Sequence, residues 1–588
     1  MKHRKLVAAV ATLTALGGGA LALPGVSSAS SAARVTPSSA STPPAATTPI
    51  QHVVVIYGEN VSFDHYFGTY PNATNADGQP FTAKAGTPKV NGLKGKLLTA
   101  NPNGANPARL DPANAGDILT CDQNHSYTPE QNAFDGGLMD KFPAAVGTAS
   151  GSSPAGHACA ASDVMDYYDG NTVTGLWNYA QNFAISDSFY ATTFGPSSPG
   201  AINLAAGDTG GIDATHAVRG ALPTPPATVN GDAVADGNGG YSLIGDAQPY
   251  YDDCSSRDAV GMTGKNIGDL LDAASLSWGF FEGGFAPTSA YTGPASTTKN
   301  YDQLNVPGRA VCAATHNVGV ALGGTGQYGT KADYVPHHEP FDYYASTANP
   351  HHLAPKSLSV VGKDTAKPGK FNTANHQYDM SVFDQLVAAI HAGTLPASHL
   401  PAVSFLKAPA YQDAHAGYSD PLDEQQFVVS EVNALEQLPT WKSTAIVVAY
   451  DDSDGWYDHA FSGVTNPSQT TADALTGSHQ CGTGTTYLGN EQGRCGYGPR
   501  LPLIVISARA RADFVGHKVV DQSSIDKFIA ANWKLGQIPG SAATVAGPLN
   551  GLFDFTAAKP LRPLYLDPAT GEPTTPTAVH DAGSSRSF

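Results

Sequence analysis

His52-Val53-Val54-Val55-Ile56-Tyr57 runs into Gly58-Glu59-Asn60, and Ala445-Ile446-Val447-Val448-Ala449-Tyr450 runs into Asp451-Asp452. Each is a short apolar run that ends in acidic or amide side chains. Val/Ile runs bounded by polar turn residues read as strands buried on both faces of a parallel sheet. In open α/β sheets, ligands collect at the carboxyl ends of such strands. A lone Asp or Asn after a strand is an ordinary turn former. Two such ends brought to one place are different. Three carboxylates and a carboxamide oxygen packed together repel unless they protonate or share a cation, so their convergence implies a bound divalent metal.

Working outward, Leu400–Leu406 and Leu501–Ser507 read as further buried strands. Between the first of these and the 445–450 run lies Asp423–Leu438. There Phe427, Val428, Val432 and Leu435 recur at helical spacing until Pro439 stops the pattern. A second helix is expected over Ser524–Leu535, opened by a capping serine, with Ile525, Phe528, Ile529 and Trp533 on one face. Strands alternating with helices predict an α/β fold with a mainly parallel central sheet. Residues 50–560 read as a single domain. Within it, about 200–370 is rich in Gly, Asn, Asp and Tyr with weak periodicity and reads as a long insertion, a cap over the site.

Met1 to Ala33 has a basic start, a short glycine-broken apolar core and small residues after it, which is the pattern of a secretory signal peptide. Residues 34–49, rich in Ser, Ala, Thr and Pro, read as a disordered leader, and 561–588 as a flexible tail. Export to the periplasm or medium is therefore expected, and no later run is apolar and long enough to span a bilayer. Six cysteines in an exported chain favour disulfides; pairing of sequence neighbours (121–159, 254–312, 481–495) is the simplest of fifteen connectivities. A formal net charge of −18 argues against a nucleic-acid partner. No feature points to a protein partner.

Phe194-Gly195-Pro196-Ser197-Ser198-Pro199-Gly200 is a sharp turn suited to presenting a hydroxyl, which a neighbouring cation would activate. Among 19 histidines, those singled out are His125, the pair His337-His338, His415, and His459 just after the second acidic pair. His415, in Asp413-Ala414-His415 shortly after a strand, sits where a general acid or phosphate-contacting group belongs. Tyr450 to His459 holds a dense set of polar groups; its Asp452-Ser453-Asp454-Gly455 segment does not fit a calcium-binding helix-loop-helix.

These residues are recognisable together. Gln51 to Thr69, Ala133 to Asp140, Gly195 to Pro199, Tyr450 to His459 and Ser524 to Trp533 resemble, in order, the motifs of the bacterial phosphoesterase family that joins phosphocholine-type phospholipases C with a branch of acid phosphatases. The resemblance implies an alkaline-phosphatase-like three-layer α/β sandwich and hydrolysis of phosphate esters through a phosphorylated hydroxyl. It implies that Glu59, Asn60, Asp451 and Asp452 hold one divalent ion (Ca, Mg, Mn or Fe), with Ser197 as nucleophile and Ser198 as fallback. It further implies that His125, His337, His338 and His415 surround the phosphate. Gly58, Val61 and Gly200-Ala201 depart from the usual Gln, Arg and Asn-Arg, which bears on head-group contacts more than on the metal. Asp452, where many phospholipases have Glu, ranks a phosphomonoesterase above a phospholipase C. The substrate is then a small phosphate ester, or alternatively a phospholipid head group.

Overall fold

The two quoted runs form neighbouring strands at the centre of a nine-stranded sheet. In the computed structural model, residues 43–218, 222, 231–293, 308–367, 369–475, 481 and 488–576 are described. The expected signal peptide lies outside these residues, as do the start of the leader and the end of the tail.

The sheet strands are β1 (His52–Gly58), β2 (Ala184–Tyr190), β3 (Trp278–Glu282), β4 (Gln377–Asp379), β5 (Val403–Lys407), β6 (Thr444–Tyr450), β7 (Arg500–Ser507), β8 (Phe514–Gly516) and β9 (Val520–Asp521). Their order is β4-β3-β5-β1-β6-β7-β2-β8, with β9 also beside β2. All pairings are parallel except those of β7, which runs antiparallel to both β6 and β2. β6 and β7 are buried along their whole length, as continuous apolar runs covered on both faces must be. Helices pack in two groups: α1 (Thr174–Asn182) and α4 (Met380–His391) against α5 (Pro421–Glu436), and α2 (Ser197–Ala205) and α3 (Ile267–Ala273) against α6 (Ser523–Trp533). This is the expected α/β class with a mainly parallel central sheet.

α5 starts where its sequence dictates. The Asp420 side chain accepts from the backbone N–H of Leu422 and Asp423, and Pro421 occupies the first turn. α6 buries Ile525, Phe528, Ile529 and Trp533. Ser524 is not its cap: the helix begins one residue earlier, and the Ser524 hydroxyl accepts from Asp521 N–H at 3.0 Å.

Three boundaries differ from expectation. The supposed insertion contains β3, a fully buried sheet strand between β4 and β5, so the segment is not wholly peripheral. Its other parts include a small three-stranded sheet formed by 212–218, 248–249 and 259–262. The end of the leader is tied down: Thr47 N–H donates to Asn532 O at 2.7 Å, and the Thr48 hydroxyl donates to Asn532 Oδ1 at 2.7 Å. The start of the tail is held on α5, where Asn433 Nδ2 donates to Leu566 O at 2.7 Å and Leu566 is fully buried. Apolar Leu561, Leu564 and Leu566 give that segment a surface to bury. The disulfides are Cys121–Cys159, Cys254–Cys312 and Cys481–Cys495, the sequence-neighbour pattern.

Candidate active site

Strand register builds the site. β1 pairs with β6 so that Gly58 faces Tyr450, and the residues that follow leave the sheet side by side. Asn60 turns through a left-handed backbone (φ 54°), which asparagine tolerates better than most residues. Glu59, Asn60, Asp451 and Asp452 are all buried. The Ser197 hydroxyl lies 2.9 Å from Glu59 Oε2, 3.0 Å from Asp452 Oδ2 and 3.2 Å from Asn60 Oδ1. The five groups named from the sequence as metal ligands and nucleophile thus meet at one point.

The charges there are unbalanced. Burial, then Glu59 and Asp452, push the Asp451 carboxyl well above the usual carboxylate range. Burial, opposed by His125 and aided by Glu59, pushes Asp452 up to about 7. Asp451 Oδ2 is buried with no hydrogen-bond partner. Asn60 Oδ1 lies 2.7 Å from Glu59 Oε2, 3.2 Å from Asp451 Oδ1 and 3.3 Å from Asp452 Oδ2. An amide oxygen among carboxylate oxygens is repulsive unless a cation lies between them, or unless the amide turns over and donates. The opposite edge of the amide discriminates between the two. His415 Nδ1 faces the Ala416 carbonyl and must donate to it, which leaves Nε2 as an acceptor 3.0 Å from the Asn60 nitrogen. Burial, then His125, hold His415 well below its ordinary pKa, hence neutral. His125 Nε2, 3.4 Å from the same nitrogen, is a longer contact and, being protonated, does not accept from it. With the amide nitrogen toward the histidines, its oxygen joins three carboxylates in an all-oxygen set that suits a hard divalent ion.

The serine is delivered by its turn. Gly195 adopts φ 116°, and its N–H donates to Glu130 Oε2 at 3.0 Å, while Glu130 Oε1 accepts from the Ser453 hydroxyl at 2.9 Å. Burial pushes Glu130 up to about 8. Ser197 opens α2, and Gly200 lets that helix press on the metal-ligand strand end: a Cβ there would stand 2.2 Å from Asp451 O. Ser198 points elsewhere. Its backbone N–H and hydroxyl both donate to Asp246 Oδ1, at 3.0 and 3.1 Å.

The histidines divide. His125 Nδ1 lies 2.9 Å from Gln123 O and 3.0 Å from Asp454 Oδ1. Burial opposes its charge, but Asp452, Asp454 and Asp122 outweigh that and hold its pKa well above normal. It faces His415 across 5.9 Å between ring centroids and lines a cavity of about 480 Å³ with Gln123, Pro196 and Asp246. His338 Nδ1 lies 3.3 Å from Glu59 Oε1, on the side of Glu59 away from Ser197. His337 pairs with Arg257 at 3.2 Å, and burial lowers its pKa to about 4. It reaches the site through its neighbours, not through the acid cluster. His459 belongs to a separate network with Asp64 (2.6 Å), Asp458 and the buried Arg500.

Sequence reasoning missed Lys407, Glu130, Asp413 and Asp246. Lys407, the last residue of β5, is fully buried with its ammonium on Glu59 Oε1. Burial works against that charge, yet Glu59, Asp451 and Asp413 keep its pKa raised. In the sequence Lys407 is only a lysine following the apolar run that ends at Leu406.

A family model described as the Phosphoesterase family matches residues 50–536. Among characterised relatives, non-hemolytic phospholipase C of Burkholderia pseudomallei (strain K96243) is 22% identical over 526 residues, covering 86% of this chain and 59% of the relative. Phospholipase C A of Mycobacterium tuberculosis (strain H37Rv) is 23% identical over 543 residues, covering 89% and 81%. The chain therefore spans under two thirds of the Burkholderia protein's length. A solved protein of the alkaline phosphatase superfamily from Vibrio parahaemolyticus shares 9% identity at a TM-score of 0.26, over 64% of this chain and 63% of that one, a likeness too distant to bear weight. Because the family model covers well over half of its residues, the chain belongs to the phosphoesterase family.

Proposed function

We propose that this chain is an exported, metal-dependent hydrolase of phosphoric esters, an acid phosphatase that works through a phosphoserine. The observation that carries the reading is the Ser197 hydroxyl, 2.9–3.2 Å from Glu59, Asp452 and Asn60. One divalent ion held by Glu59, Asn60, Asp451 and Asp452 would supply charge stabilisation on the phosphoryl oxygens and lower the pKa of the hydroxyl. Ser197 Oγ then attacks phosphorus in line with the leaving oxygen. Its proton has a carboxylate acceptor within 3.0 Å. As the P–O bond to the alcohol breaks, His125, held protonated by the surrounding carboxylates and facing the cavity, gives the leaving oxygen a proton. The neutral His125 next takes a proton from the water that attacks the phosphoserine, and as the bond from phosphorus to Ser197 Oγ breaks, the carboxylate returns its proton to the serine. His415 stays neutral and holds the Asn60 amide.

A phosphomonoester substrate is supported by Asp452, which stands where many phospholipases of the resembled family have Glu. The relatives at 22–23% identity are named phospholipases C, which keeps phosphodiester cleavage as the second reading. Side-by-side assay of p-nitrophenyl phosphate and phosphatidylcholine separates the two. Ser197→Ala is expected to lower turnover of the preferred ester roughly 10³-fold or more, with Ser198→Ala active. The reverse pattern sinks the nucleophile assignment.

A further inference from the structure

Glu59 has two faces. Oε2 points to Ser197 and Asn60, the proposed metal position. Oε1 points the other way, into a second buried set of ligand-type groups. There His338 Nδ1 is 3.3 Å from Glu59 Oε1 and 3.8 Å from Asp413 Oδ2. Glu59, His338 and Asp413 offer ligand atoms that all lie within 4.8 Å of one another, and all three residues are buried. His338 Nε2 is itself buried without a hydrogen-bond partner. By residue type and spacing this triad is competent to hold a metal ion, with a carboxylate bridging it to the first site.

The Lys407 ammonium reaches this set from one side and is felt electrostatically by Asp413 and His338. It contacts Glu59 Oε1 and stands 4.6 Å from the centre of the Tyr57 ring. Its position is not a matter of side-chain chance. β5 is registered on β1, Leu406 opposite Ile56, so Lys407 ends its strand beside the residues that lead into Glu59. A fully buried lysine whose head rests on a candidate bridging carboxylate supplies fixed positive charge without needing an ion from solution.

We infer that Lys407 is a built-in cation filling the second half of a two-part anionic site, so that the centre holds one metal ion, and that its removal converts Glu59, His338 and Asp413 into a second metal site. The inference rests on the metal reading of Glu59, Asn60, Asp451 and Asp452. A compact ammonium carries one charge and cannot exchange. A mobile ion at the same place carries two and can be lost, so the lysine makes one of the centre's three positive charges independent of metal supply.

The test is stoichiometry. Metal-stripped full-length protein is equilibrated with Zn²⁺, an ion that accepts both imidazole and carboxylate, and bound zinc is measured by elemental analysis. The expected counts are one Zn²⁺ per chain for wild type and for Lys407→Arg, two for Lys407→Ala, and one again for the double variant Lys407→Ala/His338→Ala. Thermal stability of Lys407→Ala should rise with the second equivalent, whereas wild type gains nothing beyond the first. A Lys407→Ala protein that stops at one ion overturns the inference, as does a wild type that binds two. A wild type that binds none overturns the metal reading and this inference with it, a result distinct from either. If Lys407→Ala does not fold alone, it is refolded with Zn²⁺: recovery with two bound ions supports the inference, and failure at every zinc concentration overturns it.

Discussion

Gly200→Ala is the sharpest probe of how the nucleophile is positioned. On helix propensity alone the change should stabilise the protein by about 1 kcal/mol, because glycine inside a helix is worse than alanine by that amount. The structure demands the opposite sign. An added Cβ would lie 2.2 Å from Asp451 O and 2.6 Å from Asp451 C, and both are backbone atoms that no rotamer change can move. Restoring ordinary contact requires the start of α2 and the end of β6 to separate by about 1 Å, the scale of misplacement that costs roughly 10²-fold in rate when reacting groups must stay aligned. Ser197 is three residues from this contact, and its hydroxyl is held by partners at 2.9–3.2 Å. The expected result is a fall in kcat on p-nitrophenyl phosphate of about 10²-fold. A stability loss of about 1–3 kcal/mol should accompany it. Gly264→Ala, where nothing lies within 4 Å of the new Cβ, serves as the control. A Gly200→Ala enzyme with wild-type kcat and an unchanged or raised Tm would refute the argument that this close approach positions the serine.

Three further outcomes follow from the same structure. The folded-state pKa of His459 is raised because Asp64 and Asp458 outweigh its burial; its contribution is fully present below the unfolded value near 6.5 and lost as pH rises through the folded one. His459→Gln should therefore lower stability by about 1.5–3 kcal/mol near pH 6 and by less at pH 9, read from paired melting curves; a gap that widens with pH contradicts this. Replacing Cys121 and Cys159 by serine frees a loop with a sequence separation of 38 that carries His125; the chain-entropy cost is about 4 kcal/mol, and KM should rise as the histidine arm loosens. Chelation should lower Tm as well as activity, since an ion at a hundredfold excess over its Kd stabilises by about 2.7 kcal/mol; a melting curve unmoved by chelator and by re-added metal speaks against the oxygen cluster as the metal site.

How far the sequence could be read depended on whether a residue's partners are local. Val53–Tyr57 and Ala445–Tyr450 are legible because a doubly covered strand must be apolar throughout, and their polar ends announce a site. The direction of β7 was not legible: Leu501–Ser507 reads the same parallel or antiparallel, and only its neighbours fix the choice. β3 hid because Trp278-Gly279-Phe280-Phe281-Glu282 is short and lies in a glycine-rich stretch. Lys407 was invisible for a different reason. A lysine after Phe405-Leu406 resembles a solvated strand end, and its burial makes sense only once Glu59 is beside it. His459 misled in the other direction: close in sequence to Asp452, it turns away to Asp64 because Arg500 organises that pair of carboxylates.

The register that sets Gly58 opposite Tyr450 has a consequence for how this protein fails. No local stretch of chain owns the centre: its groups come from residues 59–60, 197 and 451–452, with flanking groups at 125, 338, 407 and 415. Fragments of the chain should thus be inert, not weakly active. Turnover should vanish in denaturant together with the central sheet, in a single step, which makes activity itself a reporter of the integrity of the whole sheet.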